Sequence, residues 1–363
     1  MAFINENFML ENEIAKHLYH DFAKDMPIYD YHCHLDPKQI SDNVKCDNIA
    51  ELWLSGDHYK WRAMRAQGIE EKYITGNADP LEKFKKWAEA LENSIGNPLY
   101  HWSQLELKMY FNIDDLLTSD NAEEIYHRAN DYLKEHQVTT QSLISNSNVN
   151  LICTTDNPTD DLAYHDAIKA QDDFKTVVLP AFRPDDVFKV GEPAFLEFVQ
   201  KLERTTHNIE NATQFVEALN QRIQYFHDKG GRLADHGLEE IHFENYTTQE
   251  IETIFTKALN KEDVSTHEQF QFQTFMLNAL SKAYYAHGWV MQIHFGAIRN
   301  NNTKMFEQVG RDAGFDSIRD QNNLAYHLNA TLDMMEKDNH LPKTILYNLN
   351  PIYNDIVAVS YTH

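Results

Sequence analysis

Short apolar runs alternate along the chain with longer stretches in which apolar residues recur at helical spacing. The runs are rich in Val and Ile and nearly continuous, which is typical of parallel strands buried on both faces. They predict six strands, of which the fourth is weak: Ile28–Tyr31, Val149–Thr154, Thr176–Phe182, Ile241–Phe243, Trp289–Ile293 and Thr344–Leu349. Strands that alternate with helices indicate an α/β fold on a parallel sheet, either open or closed into a barrel.

Several of the predicted helices have clear end signals. Asp79 and Pro80 supply an N-cap and a proline at the first helical position, ahead of the sequence FKKWAEALENSI. The stretch 212–228 ends before Gly230 and Gly231, a C-cap signal. Two more long helices are expected at 265–287 and 317–337.

One segment interrupts the alternation of strands and helices. Residues 37–148 read as almost entirely helical, which is too long for one connection between neighbouring strands. We therefore expect a helical subdomain at 37–148, inserted after the first strand. Residues 1–36 would then hold an N-terminal helix and that strand, and residues 149–363 the remainder of the sheet.

Composition narrows the classes of partner. The 363 residues include 56 acidic and 32 basic side chains, giving a net charge of −24. Such a charge disfavours nucleic acids and anionic membranes as binding partners. An acidic ligand would need arginines placed close to its binding site. Three cysteines cannot form a disulfide framework, and neither a signal peptide nor a run of ~18 apolar residues is visible. We expect a cytoplasmic protein.

The sequence YDYHCHLDP at residues 29–37 holds the sharpest local feature. If the first strand continues, His32, His34 and Asp36 lie on one face, and Pro37 ends the strand. Two imidazoles on one face at a strand end can share a metal ion. The alternative is that both histidines pack at this end of the sheet without a metal.

Two further strands end in polar side chains. His294 closes an apolar run and precedes a loop with glycine, arginine and three asparagines, so it either faces the same pocket or is a satisfied core histidine. Arg183 closes the sequence VVLPAFR, where it could clamp a carboxylate in a bidentate manner. The alternative for Arg183 is an ion pair with Asp185 or Asp186.

Three further segments carry weaker signals, and several common motifs are missing from the sequence. Residues 151–158 could bind a ligand or cap a helix, residues 56–62 could be an ordinary helix start, and residues 232–237 read as either a loop at the sheet end or a turn. The sequence lacks a dinucleotide-binding glycine motif, a phosphate-binding loop, a serine nucleophile elbow and a Cys-X-X-Cys pair. Dinucleotide-dependent redox chemistry, phosphoryl transfer and serine hydrolysis therefore lack their usual signatures.

Eight motifs occur in the order in which uronate isomerases carry them: YDYHCHLDP, SGDHYKWRAMRAQG, ICTTDNP, LPAFRPD, ADHG, MQIHFGAIRNNN, GFDSI and KTILYNLNP. Up to about residue 350, the chain thus resembles the uronate (glucuronate) isomerase family of the amidohydrolase superfamily. The resemblance implies a distorted (β/α)8 barrel of the TIM-barrel type and a single divalent metal ion, usually zinc. It also implies interconversion of D-glucuronate with D-fructuronate and of D-galacturonate with D-tagaturonate.

The resemblance also implies which residues form the site: metal ligands His32 and His34, catalytic residues His58, Tyr59 and His294, and substrate-binding residues Arg183 and Arg299. The expected partner is a small sugar acid, and a homo-oligomer is compatible with the resemblance. Family members continue beyond Pro351 through two further strands, the last with an Asp-Ser-Arg motif, whereas this chain reads IYNDIVAVSYTH. We therefore expect a barrel without its last two βα units, and without the metal-binding aspartate and candidate base of that motif.

Two alternative functions remain open at this level. One is a metal-dependent hydrolase of the same superfamily, which would use the histidine pair to activate water. The other is an inactive, truncated relative that folds and binds a uronate without turnover.

Overall fold

The computed structural model describes residues 3–360, and six parallel strands form its centre. Three strands pair in the order β1 (Ile28–Asp30), β2 (Val149–Cys153) and β3 (Val177–Leu179). Three more pair in the order β4 (Leu233–Gly237), β5 (Val290–Phe295) and β8 (Thr344–Asn348). A parallel bridge between Phe182 and Ala234 joins the two groups, so the strand order is β1-β2-β3-β4-β5-β8. A short antiparallel pair, β6 (Ala297–Ile298) and β7 (Ser317–Ile318), follows β5.

The fold is therefore a mixed α/β fold with a parallel sheet, as the alternating pattern predicts. Within residues 3–360, β1 pairs with β2 alone and β8 pairs with β5 alone. Closure into an eight-stranded barrel stays a prediction.

Helices connect the parallel strands. They are α1 (Glu13–Leu18) before β1, α9 (Ala163–Lys169) after β2, α10 (Pro193–Thr205) and α11 (Ala212–Asp228) after β3, α12 (Thr248–Leu259) and α13 (Thr266–Ala286) after β4, α14 (Thr303–Val309) and α15 (Leu324–Lys337) before β8, and α16 (Asn354–Val359) after it. The largest hydrophobic core lies between the outer face of β4 and β5 and five of these helices, α10 to α13 and α15. Phe215, Phe255 and Phe272 from the helices and Met291 and Ile293 from β5 are all buried there.

Capping residues explain where the long helices begin and end. The Asn211 side chain accepts a hydrogen bond from the backbone N–H of Gln214 at the start of α11, and Ser265 forms a capping box at the start of α13. Gly230, just beyond α11, has φ of +105°, a conformation that favours glycine. The helices predicted at 212–228 and 265–287 are thus confirmed.

Two sequence-based element predictions were wrong. Residues Ile241–Phe243 form no strand, because the backbone N–H and C=O of Ile241 bond to the side-chain amide of Gln321 rather than to a neighbouring strand. The fourth strand is instead Leu233–Gly237. The helix expected at 317–337 begins only at Leu324, after Asn323 in a left-handed conformation with φ of 54°.

Seven helices lie between β1 and β2: α2 (Pro37–Ser41), α3 (Ile49–Leu54), α4 (His58–Ala66), α5 (Pro80–Glu92), α6 (Pro98–Phe111), α7 (Ala122–Glu135) and α8 (Thr140–Asn146). Helices α3 to α7 share a separate core that includes Trp53, Phe84 and Trp87. Ile40 of α2 and Ile144 of α8 pack instead with residues of β2 and β3. The helical segment is therefore joined to the sheet through its first and last helices, and its boundaries at 37 and 148 stay a prediction.

The remaining sequence-based expectations concern cysteines and membranes. Cys33, Cys46 and Cys153 all have free thiols. None of the helices within residues 3–360 combines the length and the apolar character that a membrane crossing requires.

Candidate active site

Three side chains from distant parts of the chain meet at the carboxyl ends of the strands. His32 lies just after β1, Asp235 lies in β4 and His294 lies in β5. His294 Nε2 is 2.8 Å from Asp235 Oδ1, and His32 Nδ1 is 3.5 Å from Asp235 Oδ2. The ring centroids of the two histidines are 4.5 Å apart.

Strand register explains why these side chains share one face. Asp235 is paired with Gln292, and Gly237 with His294, so Asp235 and His294 both point to the inner face of the sheet. On β8, Tyr347 is paired with His294, and the two rings stack with centroids 4.1 Å apart. The intervening residues of β5, such as Ile293, point outward into the main core.

Burial and charge set the ionisation of Asp235 and His32. Asp235 is fully buried, which by itself raises its pKa, but the adjacent His294 and the Arg183 guanidinium more than offset this, and the pKa is about 2. Burial lowers the pKa of His32 to about 4, although the charge of Asp235 opposes that change. Near neutral pH the site therefore combines an ionised carboxylate with a neutral imidazole, as metal coordination requires.

Two atoms at the centre of the site lack hydrogen bonds. Asp235 Oδ1 and His294 Nε2 face each other without hydrogen-bond geometry, and neither has another hydrogen-bond partner within residues 3–360. One ligand atom from each of His32, Asp235 and His294 lies within 4.8 Å of the others. Because unpaired buried polar atoms are costly, a cation between these side chains would satisfy them. The residues present thus fit a metal ion.

His34 lies beside this group but not in it. Its ring centroid is 5.1 Å from that of His32, and burial lowers its pKa. His34 also lines a cavity of about 680 Å³ at the ends of β1 and β2, together with Asp156 and His165. The expected alignment with Asp36 is wrong, because β1 ends at Asp30 and the Asp36 carboxylate caps α2 by accepting the N–H of Lys38.

The sequence left open whether Arg183 forms an ion pair, and in the structure it forms two. Its Nε donates to Asp185 Oδ2 at 2.8 Å, and its Nη1 donates to Asp235 Oδ2 at 2.9 Å. Asp186 pairs with Lys189 instead. Arg183 is therefore bound to the carboxylate of the candidate metal site, and its role in substrate binding stays a prediction.

The other predicted site residues lie at the start of α4 and just after β6. His58 and Tyr59 begin α4 with their ring centroids 4.4 Å apart, and the Tyr59 side chain is 64% exposed. Arg299 pairs with Asp316 at 2.7 Å. Arg62 of α4 donates to the backbone oxygen of Gly314 at 3.2 Å, which brings the helical segment against the loop that holds Asp316.

Sequence reasoning missed Asp235, the fully buried member of the site. Residues 232–237 read as either a loop at the sheet end or a turn, although Leu233 and Ala234 form a short apolar run that ends at the aspartate. Gln292 and Tyr347 were also overlooked. The Tyr347 hydroxyl donates to Gln292 Oε1 at 2.8 Å, and Gln292 Nε2 donates to the backbone oxygen of Tyr31 at 3.1 Å.

A protein family and its curated members resemble this chain along nearly its whole length. The family model described as glucuronate isomerase matches residues 1–362. The uronate isomerase of Staphylococcus haemolyticus is 82% identical over 358 residues, which are 99% of this chain and 77% of that relative. The chain belongs to the uronate isomerase family. Members of this family are aldose–ketose isomerases, so the relationship favours an isomerase over the hydrolase alternative.

Solved structures of uronate isomerases have the same fold. The uronate isomerase from Thermotoga maritima superposes with a TM-score of 0.91 at 32% identity, covering 97% of this chain and 77% of that one. The glucuronate isomerase from Caulobacter crescentus superposes with a TM-score of 0.85 at 26% identity, covering 93% of this chain and 71% of that one. The arrangement of strands and helices described above is thus shared with both proteins.

Proposed function

We propose that this chain isomerises uronates, converting D-glucuronate to D-fructuronate and D-galacturonate to D-tagaturonate, with a divalent metal ion, zinc, at the carboxyl ends of the strands. The observation that carries the proposal is the cluster of His32, Asp235 and His294 with its two unpaired buried atoms. A bound divalent cation would polarise substrate oxygens. His34, next to His32, is the further candidate ligand.

Isomerisation of an aldose to a ketose moves a proton between C2 and C1. It requires a group that accepts and returns the proton, and an anchor for the distant carboxylate of the sugar acid. His58 and Tyr59 are proposed to close over the substrate and to assist the proton transfers. Their position at the exposed start of α4 leaves both rings accessible to a ligand.

Two arginines are proposed to bind the sugar acid. Arg183 is 19% exposed and holds Asp185 and Asp235 through Nε and Nη1, which leaves Nη2 for a substrate oxygen. Arg299 is 43% exposed and must exchange Asp316 for the substrate carboxylate. His294 is held between Asp235 and the Tyr347 ring and is proposed to contact the reacting end of the sugar.

The test is proton NMR of D-glucuronate in D2O with the purified chain, with added zinc and after chelation. We expect ketose signals or deuterium at C2 with zinc present, and neither after chelation. His32→Ala should abolish the activity, whereas His17→Ala, an exposed histidine paired with Asp21, should retain it. Undiminished activity after complete metal removal would refute the metal site, and no activity with bound zinc would favour the inactive relative.

A further inference from the structure

Asp185 lies behind the candidate metal site and contacts the groups that surround Asp235. It is the first residue of a short 3-10 helix, Asp185–Phe188, that follows Arg183 and Pro184. Its Oδ2 accepts a hydrogen bond from Arg183 Nε at 2.8 Å, and its Oδ1 accepts the backbone N–H of Gly237 at 2.7 Å. Both carboxylate oxygens are thus used to join the end of β3 to the end of β4.

The backbone around this contact is also fixed. The N–H of Asp235 donates to the backbone oxygen of Phe182 at 2.9 Å, and the N–H of Arg183 donates to the backbone oxygen of Asp156 at the same distance. The bases of the Arg183 and Asp235 side chains are therefore held by hydrogen bonds between strand ends. What remains to be set is the direction in which each charged group points.

Gly237 provides the space that the contact needs. A Cβ atom at this position would lie 2.8 Å from Arg183 Nη2 and 2.9 Å from Asp185 Oδ2, which is closer than real Cβ contacts. A side chain there would have to displace the ends of both charged groups. The carboxyl end of β4 is thus shaped to admit the guanidinium and the carboxylate together.

The contacts of Arg183 decide which oxygen of Asp235 is left without a hydrogen bond. Arg183 Nη1 occupies Oδ2, so Oδ1 remains directed to His294 without a hydrogen bond. Arg183, Asp185 and Asp235 together carry one net negative charge, because one guanidinium faces two carboxylates. Without the charge of Asp185 the group would be neutral, and the attraction of Asp235 for a cation would be weaker.

We propose that Asp185 is a positioning residue: it fixes the Arg183 guanidinium, which in turn holds the Asp235 carboxylate for the metal ion. This inference rests on the proposed function, because the positioning role concerns the metal site of the proposed isomerase. Groups that orient metal ligands in this way typically contribute 10- to 100-fold to metal affinity. Asp185 itself contacts neither the metal ion nor the substrate.

The experiment measures zinc affinity by competition with a chromophoric chelator. Asp185→Asn keeps the size of the side chain but removes its charge, and it should weaken zinc binding by roughly 10- to 100-fold. Asp186→Asn is the matched control, since Asp186 lies in the same 3-10 helix and pairs with Lys189 at 2.7 Å. Its zinc affinity should equal that of the unchanged chain.

A second variant and a kinetic measurement separate positioning from other roles. Gly237→Ala removes no charge but displaces the Arg183 and Asp185 side chains, so it should also weaken zinc binding. Thermal unfolding of the zinc-free proteins shows whether each variant folds. If Asp185 served only substrate binding, KM for D-glucuronate would rise while zinc affinity stayed constant, which would overturn the proposal.

The outcomes distinguish this proposal from the proposed function. If the unchanged chain binds zinc and both folded variants bind it equally well, the positioning role is wrong and the isomerase proposal stands. If zinc binding weakens in Asp185→Asn but the zinc-loaded unchanged chain has no isomerase activity, the positioning role stands and the isomerase proposal fails. An unchanged chain that binds no zinc would overturn the metal site and the positioning role together.

Discussion

Replacement of Asp156 by asparagine should change how the stability of the protein depends on pH. Asp156 lies just after β2, is 4% exposed and lines the cavity beside His34. It accepts hydrogen bonds from the Thr154 hydroxyl at 2.7 Å and from the backbone N–H of Ala181 at 3.2 Å. Asparagine has nearly the same shape and can accept through its oxygen, but it carries no charge at any pH.

The magnitude follows from the ionisation of the buried carboxyl. Burial raises the pKa of Asp156 from 3.8 to about 7, even though the two hydrogen bonds oppose the change. The folded chain therefore holds this proton more tightly than the unfolded chain does. Because the unfolded chain binds fewer protons between those two values, the free energy of unfolding falls as pH rises from about 4 to about 7. At about 1.4 kcal/mol per pKa unit, the ionisation of Asp156 alone lowers the free energy of unfolding by about 4 kcal/mol across this pH range.

Urea denaturation at pH 5 and pH 8 tests this reasoning. Relative to the unchanged chain, Asp156→Asn should gain roughly 2 to 4 kcal/mol of unfolding free energy between the two pH values. Other titrating groups act on both proteins and cancel in this difference. Asp173→Asn, which changes an exposed carboxylate in the loop before β3, should show no such gain. If Asp156→Asn and the unchanged chain differed in unfolding free energy by the same amount at both pH values, ionisation of the buried Asp156 would not destabilise the folded chain as stated.

Two further substitutions test the helical core and the aromatic side of the site. Phe84→Ala should cost about 3 to 5 kcal/mol of unfolding free energy in urea denaturation, because Phe84 is fully buried. Trp102→Ala should cost clearly less, because Trp102 is 56% exposed. Equal losses in the two variants would contradict a separate core in the helical segment. Tyr347→Phe should cost about 1 kcal/mol in the same assay, because the hydrogen bond to Gln292 is lost. Tyr326, which is 59% exposed, provides the control: an equal loss in Tyr326→Phe would show that the hydrogen bond to Gln292 is not the cause.

Sequence patterns predicted the parts of the fold in which local signals agree with long-range packing. Helix α11 begins and ends where its caps and its apolar spacing indicate, and β5 lies where a continuous apolar run indicates. The segment Ile241–Phe243 also looked like a strand because two of its three residues, Ile241 and Phe243, are apolar. The backbone of Ile241 instead bonds to a side chain 80 residues away, and no local pattern indicates such a contact.

The candidate site was predictable only in part for a related reason. His32, His34, His294 and Arg183 each stand at the end of an apolar run, so their place at one edge of the sheet follows from the pattern. Asp235 was missed because β4 has only two apolar residues before it. Which of the histidines lie close enough to share an ion depends on distances between strands, and spacing along the sequence does not contain that information.

The curvature of the sheet explains how the site can exist. β1 and β5 are four places apart in the strand order, so in a flat sheet with a strand spacing of about 4.8 Å they would be about 19 Å apart. Yet the ring centroids of His32 and His294 are 4.5 Å apart. The side chain of Gln292 in β5 also donates a hydrogen bond directly to the backbone oxygen of Tyr31, just after β1. The sheet must therefore curl until its first and fifth strands face each other. The distance between His32 and His294 therefore depends on how all the strands between them are twisted and packed, and not on the residues of the site alone.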